Sequence, residues 1–189
     1  MTGRNFEAAL VEHCAPTLAG MKPGSLFRCS TGTAAEIRQA ADLWDRRLSP
    51  LGIRAVILKE CPRTGACLVY LYRPSWLTTI LRGQHCAAFL QQEGYEMTDL
   101  VGMLAQLSQR LCMERDFPHE IGLFLGYPLD DVVGFIRHRG WNYTLSGCWK
   151  VYGDPAPARR RFARYHACTQ TSLRRFAQGE PVTALVAAQ

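Results

Sequence analysis

Apolar positions recur at helical spacing from the start of the chain. Phe6, Leu10 and Cys14 fall at i, i+4 and i+8 and predict a helix over residues 5–14. Pro16 and the run Met21-Lys22-Pro23-Gly24 are expected to break it, with a short strand following over 25–30. Thr33 and Glu36 have the spacing of a capping box, in which hydroxyl and carboxylate each satisfy a free backbone N–H. The helix they open carries Ile37, Ala41, Trp44 and Leu48 on one stripe, and Pro50 and Gly52 close it.

The clearest strand signal is a hairpin, with strands over 53–60 and 66–72 and a loop at 61–65. Val56, Ile57 and Leu58 in one strand, and Leu68 to Tyr72 in the other, are apolar on both faces. Such strands lie centrally and are covered above and below. Pro74 then suits the first turn of a helix bearing Leu77, Ile80 and Leu81. A short helix is expected over 84–93. Thr98 or Asp99 caps another, with Leu100, Leu104, Leu107 and Leu111 at helical spacing. After the unusual stretch 117–128 comes a helix with Leu129, Val132, Val133 and Ile136 inward. A strand is expected over 143–152, a long amphipathic helix over 157–178, and a frayed tail from Gly179. This order has no regular βαβ alternation and no glycine fingerprint after a strand, which excludes a dinucleotide-binding or P-loop reading. The expected fold is α+β, one domain over 1–189: a mainly antiparallel sheet of about four strands packed against a layer of helices, with the hairpin 53–72 at its centre.

Composition narrows the class. Apolar residues make up 48% and charged residues 20% of the 189, ordinary globular usage. No apolar run is long enough to span a membrane, and the first residues resemble no signal peptide, so the expectation is a cytoplasmic protein. The eight cysteines are scattered with no CxxC pair, against a zinc ribbon, a thioredoxin motif or a ferredoxin motif; most are expected to be small buried hydrophobes. Net charge is +6, and six Arg with no acid lie between Arg159 and Arg175.

Four constellations carry candidate chemistry. His119-Glu120 has the parts of a general base or a metal site. It is not His-Glu-x-x-His, since position 123 is Leu. The plain alternative is that Pro118 starts a helix, Glu120 stabilises its positive end and His119 bonds a loop. Gly122 and Gly126 follow, where another backbone or a ligand can approach closely. In the second constellation, strand alternation puts Cys148, Lys150 and Tyr152 on one face and Trp149 and Val151 on the other. A Lys beside a Cys and a Tyr suits an anionic ligand or a lowered thiol pKa; otherwise Trp149 is core and Lys150 stands in water. The third is His13-Cys14 with His166-x-Cys168, the minimum for a thiolate nucleophile or soft-metal site if the two helices meet. The fourth is the basic helix, where Arg159, Arg160, Arg164 and Arg175 suit phosphates; a solvated amphipathic face is its plain reading.

Four stretches resemble the bacterial family known as domain of unknown function 3793: His13-Cys14-Ala15-Pro16 followed by Lys22; Phe117 through Pro128 and on to Asp131-Val132; Gly147 through Asp154; and Tyr165 to Cys168. The resemblance implies no established activity and supplies no catalytic residues to carry over. It adds only an indirect association, in anaerobic bacteria, with iron-handling and flavodoxin genes.

The leading expectation is a domain that binds or transforms a small ligand or metal. Its pocket is lined by His119, Glu120, Cys148, Trp149, Lys150 and Tyr152, with Cys14 as a further member. If it is catalytic, His119 is the base and Cys14 or Cys148 the thiol, but no reaction, cofactor or specific metal follows. The alternative is a nucleic-acid or acidic-partner module using the basic helix. A third is an oligomeric scaffold with Leu123-Phe124-Leu125 as contact surface.

Overall fold

The computed structural model describes residues 3–113 and 117–187. In chain order it runs α1 (Gly3–Leu18), β1 (Gly24–Cys29), α2 (Ala34–Leu48), β2 (Arg54–Glu60) and β3 (Cys67–Tyr72). There follow α3 (Pro74–Arg82), α4 (Gln84–Gln92), α5 (Leu100–Met113), α6 (Ile121–Phe124) and α7 (Leu129–His138). The strands β4 (Leu145–Ser146) and β5 (Lys150–Val151) and the long helix α8 (Pro155–Ala177) complete the order.

The capping box forms: the Thr33 N–H donates to Glu36 Oε2 at 2.8 Å, and the Glu36 N–H donates to Thr33 Oγ1 at 3.3 Å. The stripe Ile37, Ala41, Trp44 and Leu48 is buried throughout. Helix α1 continues through Pro16 to Leu18. Proline removes one helical donor and clashes one turn back, yet so near the helix end little helix is left to lose.

Strand β3 lies between β1 and β2, antiparallel to both. Its alternation divides the core. Cys67, Val69 and Leu71 face α1 and α2 together with Phe27 and Ala55. Tyr70 and Tyr72 face the layer of α3 to α7 with Leu77, Leu107 and Phe124. The two-sided apolar pattern read in the sequence is therefore met by helices on both faces, not by a single layer. Opposite Val69 and Leu68 the register of β2 slips between Ile57 and Lys59, so Leu58 turns toward the Tyr70 side.

Two further expectations are corrected. The main sheet has three strands, because the segment 143–152 does not join it. That segment folds on itself into the β4–β5 ribbon, with the Gly147 N–H donating to the Trp149 carbonyl at 3.1 Å. Gly147 allows the turn to lie against α8: a Cβ there would stand 2.3 Å from the Phe162 ring. The ribbon buries Trp149 and Val151 with Ala158 in a small third core. Over 182–187 the C-terminal segment is packed, not frayed. Val182 and Leu185 insert into the α1–α2 core, and the Ala187 N–H donates to the Leu18 carbonyl at 3.0 Å. Among the described residues no helix is long and apolar enough to cross a membrane.

Candidate functional site

Helix α6 is short and apolar, and Gly122 lets it lie against α7. A Cβ at Gly122 would stand 2.7 Å from Val132 Cγ2 and 3.1 Å from the Tyr127 ring. Gly126 has φ +77°, and a Cβ there would meet the Pro23 ring at 2.4 Å. Both glycines therefore serve close packing of the chain itself. Leu123 and Phe124 are wholly buried, so they offer no contact surface to a second copy.

Between α6, α7 and the ribbon lies a cavity of about 330 Å³ whose walls include His119, Leu125, Phe135, Trp149 and Lys150. Trp149 is its best-fixed wall. Its indole Nε1–H donates to Asp131 Oδ2 at 2.8 Å, and the second carboxylate oxygen accepts the Tyr152 N–H at 2.8 Å. Tyr127 stacks on the indole at 5.0 Å, and Phe162 meets it edge-on at 4.5 Å. His119 sits exposed at the rim, 4.7 Å from the Phe135 ring centre. Lys150 Nζ donates to the Gly140 carbonyl at 2.6 Å and lies 4.8 Å from the Tyr143 ring centre. One ammonium N–H is thus engaged, and the other two remain as donors.

Glu120 turns the other way. It is 3% exposed, and its Oε1 accepts from the Tyr95 hydroxyl at 3.0 Å and from Arg110 at 3.4 Å. The Arg110 guanidinium also covers the Tyr95 ring at 4.5 Å. This carboxylate braces α5 against the α6 turn and is no partner for His119. Glu120→Ala is expected to destabilise the protein by about 2 kcal/mol, since it removes the buried acceptor that joins the Tyr95 hydroxyl to Arg110. It should leave ligand binding at the cavity within threefold, and a urea melt beside a probe titration checks both.

A second hollow, also about 330 Å³, opens on the far side of Tyr127, with His13, Lys22, Cys148, Tyr165 and His166 in its wall. Helices α1 and α8 do pack together, so the two histidines of the third constellation meet here. Their cysteine neighbours do not join them in the wall. Cys14 is fully buried in the α1–α2 core, and burial pushes its thiol up to about 12. It is a core residue, not a nucleophile at neutral pH. Burial also raises the Cys148 thiol, partly offset by the charge of Lys22. The single expected pocket is therefore two hollows sharing Tyr127. His119, Trp149 and Lys150 line one, Cys148 lines the other, and Glu120, Cys14 and Tyr152 line neither. Tyr152 instead stacks on His138 at 5.6 Å.

On α8, Arg159, Arg160 and Arg164 are exposed, whereas Arg175 is engaged by Glu180 at 2.6 Å and belongs to the C-terminal turn. Among the described residues no group of three or more His, Cys, Asp or Glu is placed to hold a metal ion. Lys22, Tyr127 and Asp131 were not singled out as site residues in the sequence. The signal available for all three was their place in the family-like stretches, which name Lys22, include Tyr127 and end on Asp131-Val132.

Fold and hollows together define a mixed helix-and-sheet protein whose four family-like stretches converge on one pair of cavities. The family model described as "Protein of unknown function (DUF3793)" matches residues 10–186, and the chain belongs to that family. No curated protein and no solved structure matches the chain.

Proposed function

We propose that this protein binds a small, mainly apolar ligand carrying an acidic group, in the cavity between α6, α7 and the β4–β5 ribbon. One observation carries the reading: an aromatic-walled space of about 330 Å³ with a lysine and a histidine as cationic or polar groups in its wall. Pockets of this size, apolar with few convergent polar groups, are the usual form of small-molecule sites. Binding is favoured over catalysis because the one carboxylate adjacent to His119 in sequence is committed to Tyr95 and Arg110. A metal has less support than an organic ligand, since the wall supplies one imidazole and one carboxylate, and that carboxylate already accepts two N–H groups. The reading keeps the protein in the cytoplasm. All eight cysteines are unpaired, as suits a reducing compartment.

The magnitudes are modest. Burying about 200 Å² of apolar ligand surface contributes roughly 5 kcal/mol. A charged contact to Lys150 adds about 2 kcal/mol, which together correspond to a Kd on the order of 10 µM. The test uses 1-anilinonaphthalene-8-sulfonate, an aromatic body with one anionic group. Its fluorescence should rise saturably with the native protein. Lys150→Met should weaken binding about 30-fold, the equivalent of that charged contact. Ser146→Trp, at an exposed position on the cavity wall, should block it. Near-UV circular dichroism confirms that each variant stays folded. Equal binding by folded Ser146→Trp protein would contradict the proposal.

A further inference from the structure

We propose that the hollow beside Lys22 is a second binding site, which takes the oxyanion group, carboxylate or phosphate, of a small polar ligand. It stands independently of the aromatic cavity.

Charge is the first argument. The wall contains Lys22, His13 and His166 and no carboxylate. Among the described residues no acid lies within ion-pairing distance of Lys22. An ammonium drawn out of water is costly unless a counter-charge or hydrogen bonds replace the water. Here the compensation within the protein is weak: the rings of Tyr127 and Tyr165 lie 5.7 and 6.0 Å from Nζ. Burial lowers the pKa of the amine, and the Cys14 and Cys148 thiols only partly oppose it.

Construction is the second. The tyrosine hydroxyls beside Lys22 are already used. Tyr165 donates to the Met21 carbonyl at 3.3 Å, and Tyr127 donates to the Cys148 carbonyl at 3.2 Å. They fix the loop that carries Lys22 and the turn that carries Cys148, and the amine is left as the donor facing the space. Thr169 and Gln170 on α8 add neutral hydrogen-bonding groups to the same wall. A fixed, half-buried cation in a carboxylate-free hollow, ringed by neutral donors and two imidazoles, is complementary to a small anion. It is poorly suited to a metal cation or an apolar molecule.

The test compares thermal melts of the full chain in inorganic phosphate, in succinate and in chloride at equal ionic strength. Either oxyanion should raise the Tm of the wild type by about 3–6 °C near saturation, and the more effective one identifies the group preferred. Lys22→Met should melt at or above the wild type in chloride, because it removes an uncompensated charge, and should respond to neither oxyanion. Arg46→Met, which removes a positive charge on exposed α2, should respond like the wild type. Should Lys22→Met fail to fold, the wild type still gives an answer. Bound oxyanion should slow alkylation of Cys148 by iodoacetamide but not that of exposed Cys112. A full response in folded Lys22→Met overturns the proposal, as does a wild type that neither melts higher nor protects Cys148 in either oxyanion.

Discussion

Replacing Asp131 by alanine is expected to lower the unfolding free energy by about 3 kcal/mol and to erase the aromatic cavity with it. This carboxylate sits in the first turn of α7, where the helix dipole favours a negative charge. It accepts two hydrogen bonds that fasten the ribbon, from the Trp149 indole and from the Tyr152 backbone, each at 2.8 Å. Alanine leaves both donors without their acceptor in a largely dry setting. Asp131→Asn should do little better and cost at least about 2 kcal/mol, because its amide end turns donors toward one of the two N–H groups. Urea unfolding followed by far-UV circular dichroism measures the loss, and the near-UV tryptophan signal reports the ribbon. A loss below about 0.5 kcal/mol, well under the usual worth of such bonds, would mean that ring stacking alone holds Trp149.

A second large effect is expected at Arg73. Its side chain is 1% exposed, yet among the described residues it pairs with no acid. Its Nε donates to the Thr17 carbonyl at 2.9 Å, and its Nη2 donates to the Leu18 carbonyl at 2.8 Å. These are carbonyls of the last turn of α1, which lack partners within the helix and carry its negative pole. A further contact to the Ala187 carbonyl at 3.4 Å ties in the C-terminal segment. The guanidinium thus caps a helix and fastens the chain end with one planar group. Arg73→Ala should cost about 4 kcal/mol, and Arg73→Lys should recover less than half, since an ammonium cannot reproduce the fork. Chemical unfolding gives the totals. Faster amide exchange at 182–187 in both variants would locate the effect.

Local rules made much of the fold legible. The capping box and stripe of α2, the hairpin of β2 and β3, and the span of α8 depend on near neighbours and on spacing, which a sequence displays directly. Cys14 was legible in the same way: it shares a stripe with Phe6 and Leu10 and is buried with them. Elements decided by distant partners were not. Residues 143–152 carry a strand-like alternation, but whether they extend a sheet or fold on themselves depends on α7, α8 and the close approach of Phe162 to Gly147. His119 and Glu120 are neighbours that diverge, as adjacent residues on a turn or helix do, and nothing local says which of the two meets the cavity. Lys22 reads in sequence as part of a helix-breaking run. Its significance comes from Tyr127, Cys148 and Tyr165, which only the fold brings to it. Asp131 reads in sequence as one of two adjacent acids opening a helix, and its role appears only with Trp149 and the Tyr152 backbone in place.

The central claim is that the cavity beside Trp149 is open to a ligand. The chain has four tryptophans, so 5-fluorotryptophan labelling gives four fluorine resonances, each assignable by single substitution. On titration with 1-anilinonaphthalene-8-sulfonate the Trp149 resonance should shift and saturate, while buried Trp44, on the opposite side of the sheet, stays still. A Trp149 resonance that never moves, with changes confined to exposed Trp76 and Trp141, would contradict the account.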